Sequence, residues 1–275
     1  MNSTLFNTID ADKAIAIKQQ VDGYLATHVL WKGSILTDLK QLEFNYTTCK
    51  VNVDKPERRL GKRVEQFFTG LIKSTKEYEL VCQNIQLKSG KITIGEIDCI
   101  LKKEGVFYHV EHVYKFYLYD ETAGGKELDR WIGPNRKDCL NFKLLKLKDK
   151  QLPVLHTDQG KQVLNDFNIS IKQVKQRVHF KAQLFIPKTK SVQFNLINPE
   201  AVSGVYYRLN ELPTDALYAI PSKINWLLKP HENVEWKTFE QGLLEIHEFL
   251  NQQKSPLCWI KSSTGVLEKC FVVWW

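Results

Sequence analysis

The sequence predicts an α/β fold: a mixed sheet flanked by helices, with an N-terminal helical segment over residues 1–55, a core over 56–150 and a C-terminal α+β extension over 151–275. Three observations carry this. Two apolar runs, KITIGEIDCILKK and VFYHVEHVYKFYLY, alternate at the strand period across a tight turn. Amphipathic helical runs lie on either side of them, Leu60 to Lys73 and Arg136 to Lys150. After Pro153 the pattern changes to short strands, one further helix and a closing hairpin.

In chain order, residues 11–31 carry Ile15, Ile17, Val21, Tyr24 and Leu25 at helical spacing, with Asp10 as a candidate cap. Val51 to Arg59 is polar and proline-bearing, and reads as a connection. Leu60, Val64, Phe67, Phe68 and Leu71 then recur at the helical period, with Glu65 at the margin of that apolar face. A strand is expected near Tyr78 to Leu87, followed by the acidic hairpin and a loop from Asp120 to Asn135. The glycines of that loop read as turns, because no phosphate-loop lysine-serine pattern follows them. In Arg136 to Lys150, Leu140, Leu144 and Leu147 share one face, while Lys143, Lys146, Lys148 and Lys150 lie elsewhere. Beyond it come strands at Ile169 to Val174, Val178 to Pro187 and Gly204 to Leu209. A helix over Val234 to Asn251 and a hairpin over Pro256 to Trp275 end the chain.

The hairpin holds the chemistry. Alternate strand residues share a face, so Ile94, Glu96, Asp98 and Ile100 project together, as do His109, Glu111, Val113 and Lys115. With a turn at Lys102 to Gly105, Asp98 faces His109, Glu96 faces Glu111, and Asp98 and Glu111 are diagonal neighbours. Carboxylates held this close repel, and a shared proton, a basic partner or a cation must offset the cost. Mg2+ (or Mn2+) is the natural cation, since hard divalent ions take carboxylate oxygens, waters and substrate phosphate. Taken alone, two acids and a lysine on strands also describe an ordinary hairpin with solvated acids and a surface ion pair. Against that stand Ile92, Ile94, Ile100, Phe107 and Val113 on the same face, which point to at least partial cover. His109 and His112 flank Glu111 but point to opposite faces, so they do not both bind one ion. His109 reads as a hydrogen-bonded strand histidine or as an acid-base neighbour of the acids.

A helix glutamate, GEID on a strand, then a strand with VE and a lysine is the order of parts in the PD-(D/E)XK nuclease superfamily, which this segment resembles. The segments LGKRVEQFF, GEIDCILKKEGVFYHVEHVYKFYLY, WIGPNRKDCLNFKLLKLKDKQLP, HFKAQLFIP, Asn198 to Tyr207 and Lys223 to Pro230 resemble more closely a bacterial family, domain of unknown function 1853, itself considered similar to those nucleases. The resemblance implies a restriction-endonuclease-like core and a Mg2+-dependent nuclease hydrolysing phosphodiester bonds in DNA or RNA. By the same resemblance Asp98 and Glu111 are the metal-binding acids, Glu65 a further metal-binding or catalytic acid, and Lys115 the catalytic lysine; Glu96 is peripheral. The common motif ends Glu-x-Lys, whereas here Glu111-His112-Val113-Tyr114-Lys115 brings the lysine two positions late. Four residues of extended strand span roughly 13 Å, so Lys115 reaches the acids only if β-strand regularity breaks in a bulge between them. Without one, the expectation is a catalytically inactive nucleic-acid-binding or protein-interaction module on the same scaffold.

Composition sets the outer bounds. The 275 residues are 43% hydrophobic and 25% charged with a formal net charge of +8, as expected of a globular protein for which polyanions are plausible partners. Lys143 and Lys146 are candidate phosphate contacts, although a solvated lysine face accounts for them as well. Six cysteines without a paired spacing argue against a zinc site or disulfide framework and fit a reducing cytoplasm. Neither a signal-peptide pattern nor an apolar run of membrane-spanning length is present, so no membrane partner is expected. Oligomeric state leaves no mark in the sequence.

Overall fold

A computed structural model describes residues 15–36, 39–43, 51, 53 and 55–275; the candidate cap Asp10 lies outside them. Residues 15–26 are helical and form α1. The helix α2 (Leu60–Thr75) buries Val64, Phe67, Phe68 and Leu71, and Lys76 with φ 54° ends it. Three antiparallel strands follow: β1 (Glu79–Ser89), β2 (Ile92–Lys103) and β3 (Val106–Tyr119).

The β2–β3 turn is Glu104-Gly105, with φ of 49° and 79°. Positive φ at both central residues matches the right-handed strand twist and fixes a two-residue connection. The register is therefore Cys99 with Val110 and Ile100 with His109, two residues away from the pairing expected from a longer turn. A slip of two preserves the faces, so Asp98 and Glu111 still share one, but they are now directly opposed rather than diagonal. The paired ladder stops at Cys99–Val110, one residue short of both acids.

The chain then forms β4 (Trp131–Ile132), which doubles back on the end of β3, and α3 (Leu140–Lys146). The helix expected from Arg136 starts at Leu140 because a turn intervenes. Gly133 N–H donates to Asp138 O at 2.8 Å, and Arg136 takes φ 55°. It also does not run on to Lys150 as one α-helix: a π-helical turn over Leu147–Gln151 and a 3-10 turn over Leu152–His156 continue it. After α4 (Asp158–Asp166) comes β5 (Val174–Pro187). The strand expected at Ile169 to Val174 is instead a 3-10 turn over Ile171–Gln173 leading into β5. The remaining elements are β6 (Val202–Arg208), β7 (Leu217–Ala219), α5 (Phe239–Leu250, capped by Thr238), β8 (Leu257–Lys261) and β9 (Leu267–Val273).

Among the described residues, all nine strands belong to one mixed sheet in the order β1-β2-β3-β5-β6-β9-β8-β7, with β4 on β3. Pairing is parallel from β3 through β9 and antiparallel at both ends. The sheet crosses position 150 without a break, because β5 is the immediate neighbour of β3. That pairing runs in unbroken register from Phe107–Val174 to Leu118–Phe185, so β3 has no bulge between Glu111 and Lys115.

One face of the sheet packs Val113, Tyr117, Val178, Phe180 and Leu184 against Leu140, Leu144, Leu147 and Leu152. On the other face, beneath α1 and α2, polar side chains are buried. Lys181 Nζ donates to Tyr24 O at 3.0 Å and Leu25 O at 3.2 Å, near the end of α1, where helix carbonyls lack intrahelical donors. Lys269 Nζ donates to Gln183, to Trp226 O and to Leu228 O, and Gln183 in turn donates to Tyr114 OH, which meets Thr27. A Cβ on Gly23 of α1 would come within 2.1 Å of Leu227 O, so that helix rests on the backbone of the C-terminal part. Among the described residues, no helix is long and apolar enough to cross a membrane.

Candidate metal centre

Glu111 lies on the face covered by the 140–156 segment and is fully buried. Its Oε2 accepts from Gln151 Nε2 at 2.6 Å. Among the described residues its Oε1 has no hydrogen-bond donor; His109 Nε2, also buried, lies 3.2 Å away without hydrogen-bond geometry. Asp98 stands beside it on β2 and accepts the backbone N–H of His112 at 2.9 Å. Burial, and next the charge of Glu111, push the Asp98 carboxyl up to about 7, against the pull of that N–H. On the β1 side, Asn84 is opposite Asp98 in the register and takes φ 54°, a conformation that asparagine tolerates better than most residues.

The other predicted site residues divide. Glu65 accepts from Lys62 Nζ at 2.6 Å, and Lys62 lies 3.8 Å from Glu96. Both acids are near enough to raise Asp98 further, so Glu65, Glu96, Asp98 and Glu111 form one carboxylate group with Lys62 at its outer edge. The hydrogen bond to Glu65 raises Lys62 above its ordinary value. Lys62 and Glu65 also line a surface cleft of about 550 Å3 with Lys55, Gln66, Lys73 and Asn84. Lys115 is not brought onto the acids. With β3 straight, its ammonium donates to Asp138 Oδ2 at 2.7 Å, and both side chains are more than a third exposed. The bulge that would have returned it to Glu111 is absent, because continuous pairing with β5 leaves no unpaired residue in β3.

Lys143 and Lys146, a pair on the sequence, part company in space. Lys146 is exposed. Lys143 points inward and donates to Gln151 Oε1 at 2.7 Å, and Gln151 passes its other end to Glu111. Burial lowers Lys143 to about 8, while Glu111 and Asp98 pull it the other way. His112, as expected from strand parity, faces away. It stacks on Phe68 at 4.5 Å between centroids and meets His179 Nδ1 to Nδ1 at 3.1 Å, and burial drives it down to about 3. The cover inferred for the acidic face holds at its inner end, where Ile100 and Val113 are buried, but Ile92 and Ile94 are exposed.

Sequence reasoning missed Gln151, Asp138 and Lys62. The Lys62–Glu65 pair was legible as an i, i+3 contact on a helix. No signal in the sequence marks the π-helical turn that aims Gln151 at Glu111.

An orphan carboxylate oxygen inside an acid group of oxygen donors suits a hard divalent cation. Among the described residues no group of three or more histidines, cysteines or carboxylates is placed to hold a metal ion. An ion held here would rest on Asp98 and Glu111 and fill its remaining positions with waters or substrate oxygens. A family model described as Domain of unknown function (DUF1853) matches residues 9–273. The chain belongs to that family. The DUF1853 match spans the whole described sheet, with the acid group near the sheet's β1 end, and its description names no activity. No curated protein and no solved structure matches the chain.

Proposed function

We propose that this protein is a Mg2+- or Mn2+-dependent nuclease that hydrolyses phosphodiester bonds in DNA or RNA, on a restriction-endonuclease-like core. One observation carries the reading: Glu111 is buried beside Asp98 with an undonated oxygen, a costly charge arrangement that a bound cation would offset. The order α2, β2, β3 also carries Glu65, Asp98 and Glu111 in the sequence order of the PD-(D/E)XK pattern. Asp98 and Glu111 would hold the ion, with Glu65 at the open side of the group. The bound ion would acidify a water and neutralise charge on the phosphate in transit. The protein's own part is to hold two carboxylates rigidly. Glu111 is fixed by Gln151, and Asp98 by the His112 N–H. Lys55, Lys62 and Lys73, which line the cleft with Glu57 and Glu65, would give the phosphate backbone a cationic approach.

Calorimetric titration of metal-stripped protein with Mn2+ and Mg2+ tests this reading. Binding that is lost in Asp98→Ala and Glu111→Ala is the expected result, with cleavage of single- or double-stranded DNA or RNA that Asp98→Ala abolishes. Metal binding that is absent, or indifferent to both substitutions, refutes it. The ion pair of Lys115 with Asp138 favours a second reading, a non-cleaving module that binds nucleic acid or protein. Metal-dependent binding of nucleic acid without cleavage under any divalent ion selects that one.

A further inference from the structure

We propose that Lys143, from α3, is the catalytic ammonium of this site, in place of Lys115 from β3. The inference rests on the nuclease reading and assigns the one role which that reading leaves unfilled. Lys115 is four residues along a straight strand from Glu111 and is held by Asp138. Lys143 reaches the acids by another route. Leu140 and Leu144 of α3 and Leu147 just after it, all fully buried, clamp this side of the segment to the sheet and leave Lys143 at the margin. The π-helical turn that follows then turns Gln151 back over the same spot, a local distortion that recurs at functional sites. Gln151 bridges Lys143 Nζ and Glu111 Oε2 through bonds of 2.7 and 2.6 Å, so the amine stands one amide from the candidate metal ligand. The groups facing it are Glu111 and Lys115 of β3, Asp98 of β2 and Lys146 of its own helix. Its lowered proton affinity agrees with a mostly buried position and still leaves it charged at neutral pH.

In the reaction a water oxygen forms a bond to phosphorus while the bond from phosphorus to the leaving oxygen breaks. Lys143 donates an N–H to a non-bridging phosphate oxygen as negative charge grows there. The proton lost by the water passes to solvent, and the leaving oxygen takes one from solvent. Lys143 ends the cycle as it began, and no oxidant or further reactant is needed.

Three substitutions and three readouts test the assignment. Lys143→Met is expected to cut cleavage by roughly 100-fold or more, the scale of removing one such donor, while its Mn2+ affinity stays at or above that of the wild type. Lys143→Arg retains part of the activity, and Lys115→Met cleaves within about threefold of the wild type. Retained Mn2+ binding shows that a silent variant is folded at the site. Independently of activity, in metal-free protein with labelled lysine side chains, a non-cleavable phosphorothioate oligonucleotide should move the Lys143 Nζ resonance and not that of Lys115. Cleavage that survives Lys143→Met and dies with Lys115→Met overturns the assignment and leaves the nuclease reading standing. So does a Lys143 resonance that ignores the oligonucleotide when Lys115 responds. A wild-type protein that binds no Mn2+ and cleaves nothing overturns both.

Discussion

Asp98 Oδ2 accepts the backbone N–H of His112 at 2.9 Å, so a side chain of β2 goes on holding β3 just past the last pair of their backbone ladder. The bond fixes the carboxylate beside Glu111, and burial together with the charge of Glu111 makes the charge of Asp98 harder to bear. The pairing thus strains the ionised form of Asp98.

That strain is measurable in Asp98→Asn. The folded protein holds the Asp98 proton up to about 7, against 3.8 for the ordinary carboxyl, so between those values it binds more protons than the unfolded chain. Stability therefore falls as pH rises through that window and stays lowered above it. Asparagine removes the charge but can still accept from His112. Urea unfolding in chelator at pH 8 should find Asp98→Asn more stable than the wild type by on the order of 1–3 kcal/mol, with the gap shrinking toward pH 4. Excess Mn2+ should reverse the ranking. A variant less stable at pH 8 contradicts the strained geometry.

Gln151→Leu takes from buried Glu111 the hydrogen-bond donor on its Oε2 and from Lys143 its acceptor. Leaving a buried polar group undonated costs roughly 1–3 kcal/mol, and more when it is charged. Chemical denaturation of the metal-free variant is expected to show that loss, and unchanged stability would mean that Glu111 finds another partner.

Lys181 makes a different pH signature, away from the acids. Burial pulls it down to about 7 from 10.5, so the folded protein releases a proton that the unfolded chain keeps. Stability then rises with pH from about 7 to 10.5, by at most about 1.4 kcal/mol per unit for this group. In Lys181→Met that slope should vanish, and the wild type should gain on the variant in melts taken at pH 7.5, 8.5 and 9.5. Parallel curves for the two proteins would show that Lys181 stays charged in the fold.

Much of the site is legible in the residues alone. Asp98 and Glu111 sit on one face because strand residues alternate, and a register slip of two cannot undo that. Glu65 is readable from the apolar stripe of α2, and the late lysine from simple counting along β3. Illegible are the contacts made across the chain. The sequence does not say that β5 would pair with β3 over its length and forbid a bulge, nor that Asp138 would meet Lys115. The join between core and C-terminal part is hidden for the same reason, since it runs through Lys181, Gln183 and Lys269 to partners far away in the chain.

The sequence by itself determined the family, most of the elements and which carboxylates share a face, because periodicity and local turn chemistry act over a few residues. Only the tertiary structure decided which amine attends those carboxylates. Lys115 and Lys143 are equally basic on paper. Strand pairing carries one away to Asp138, and a π-helical turn hands the other to Gln151 and so to Glu111.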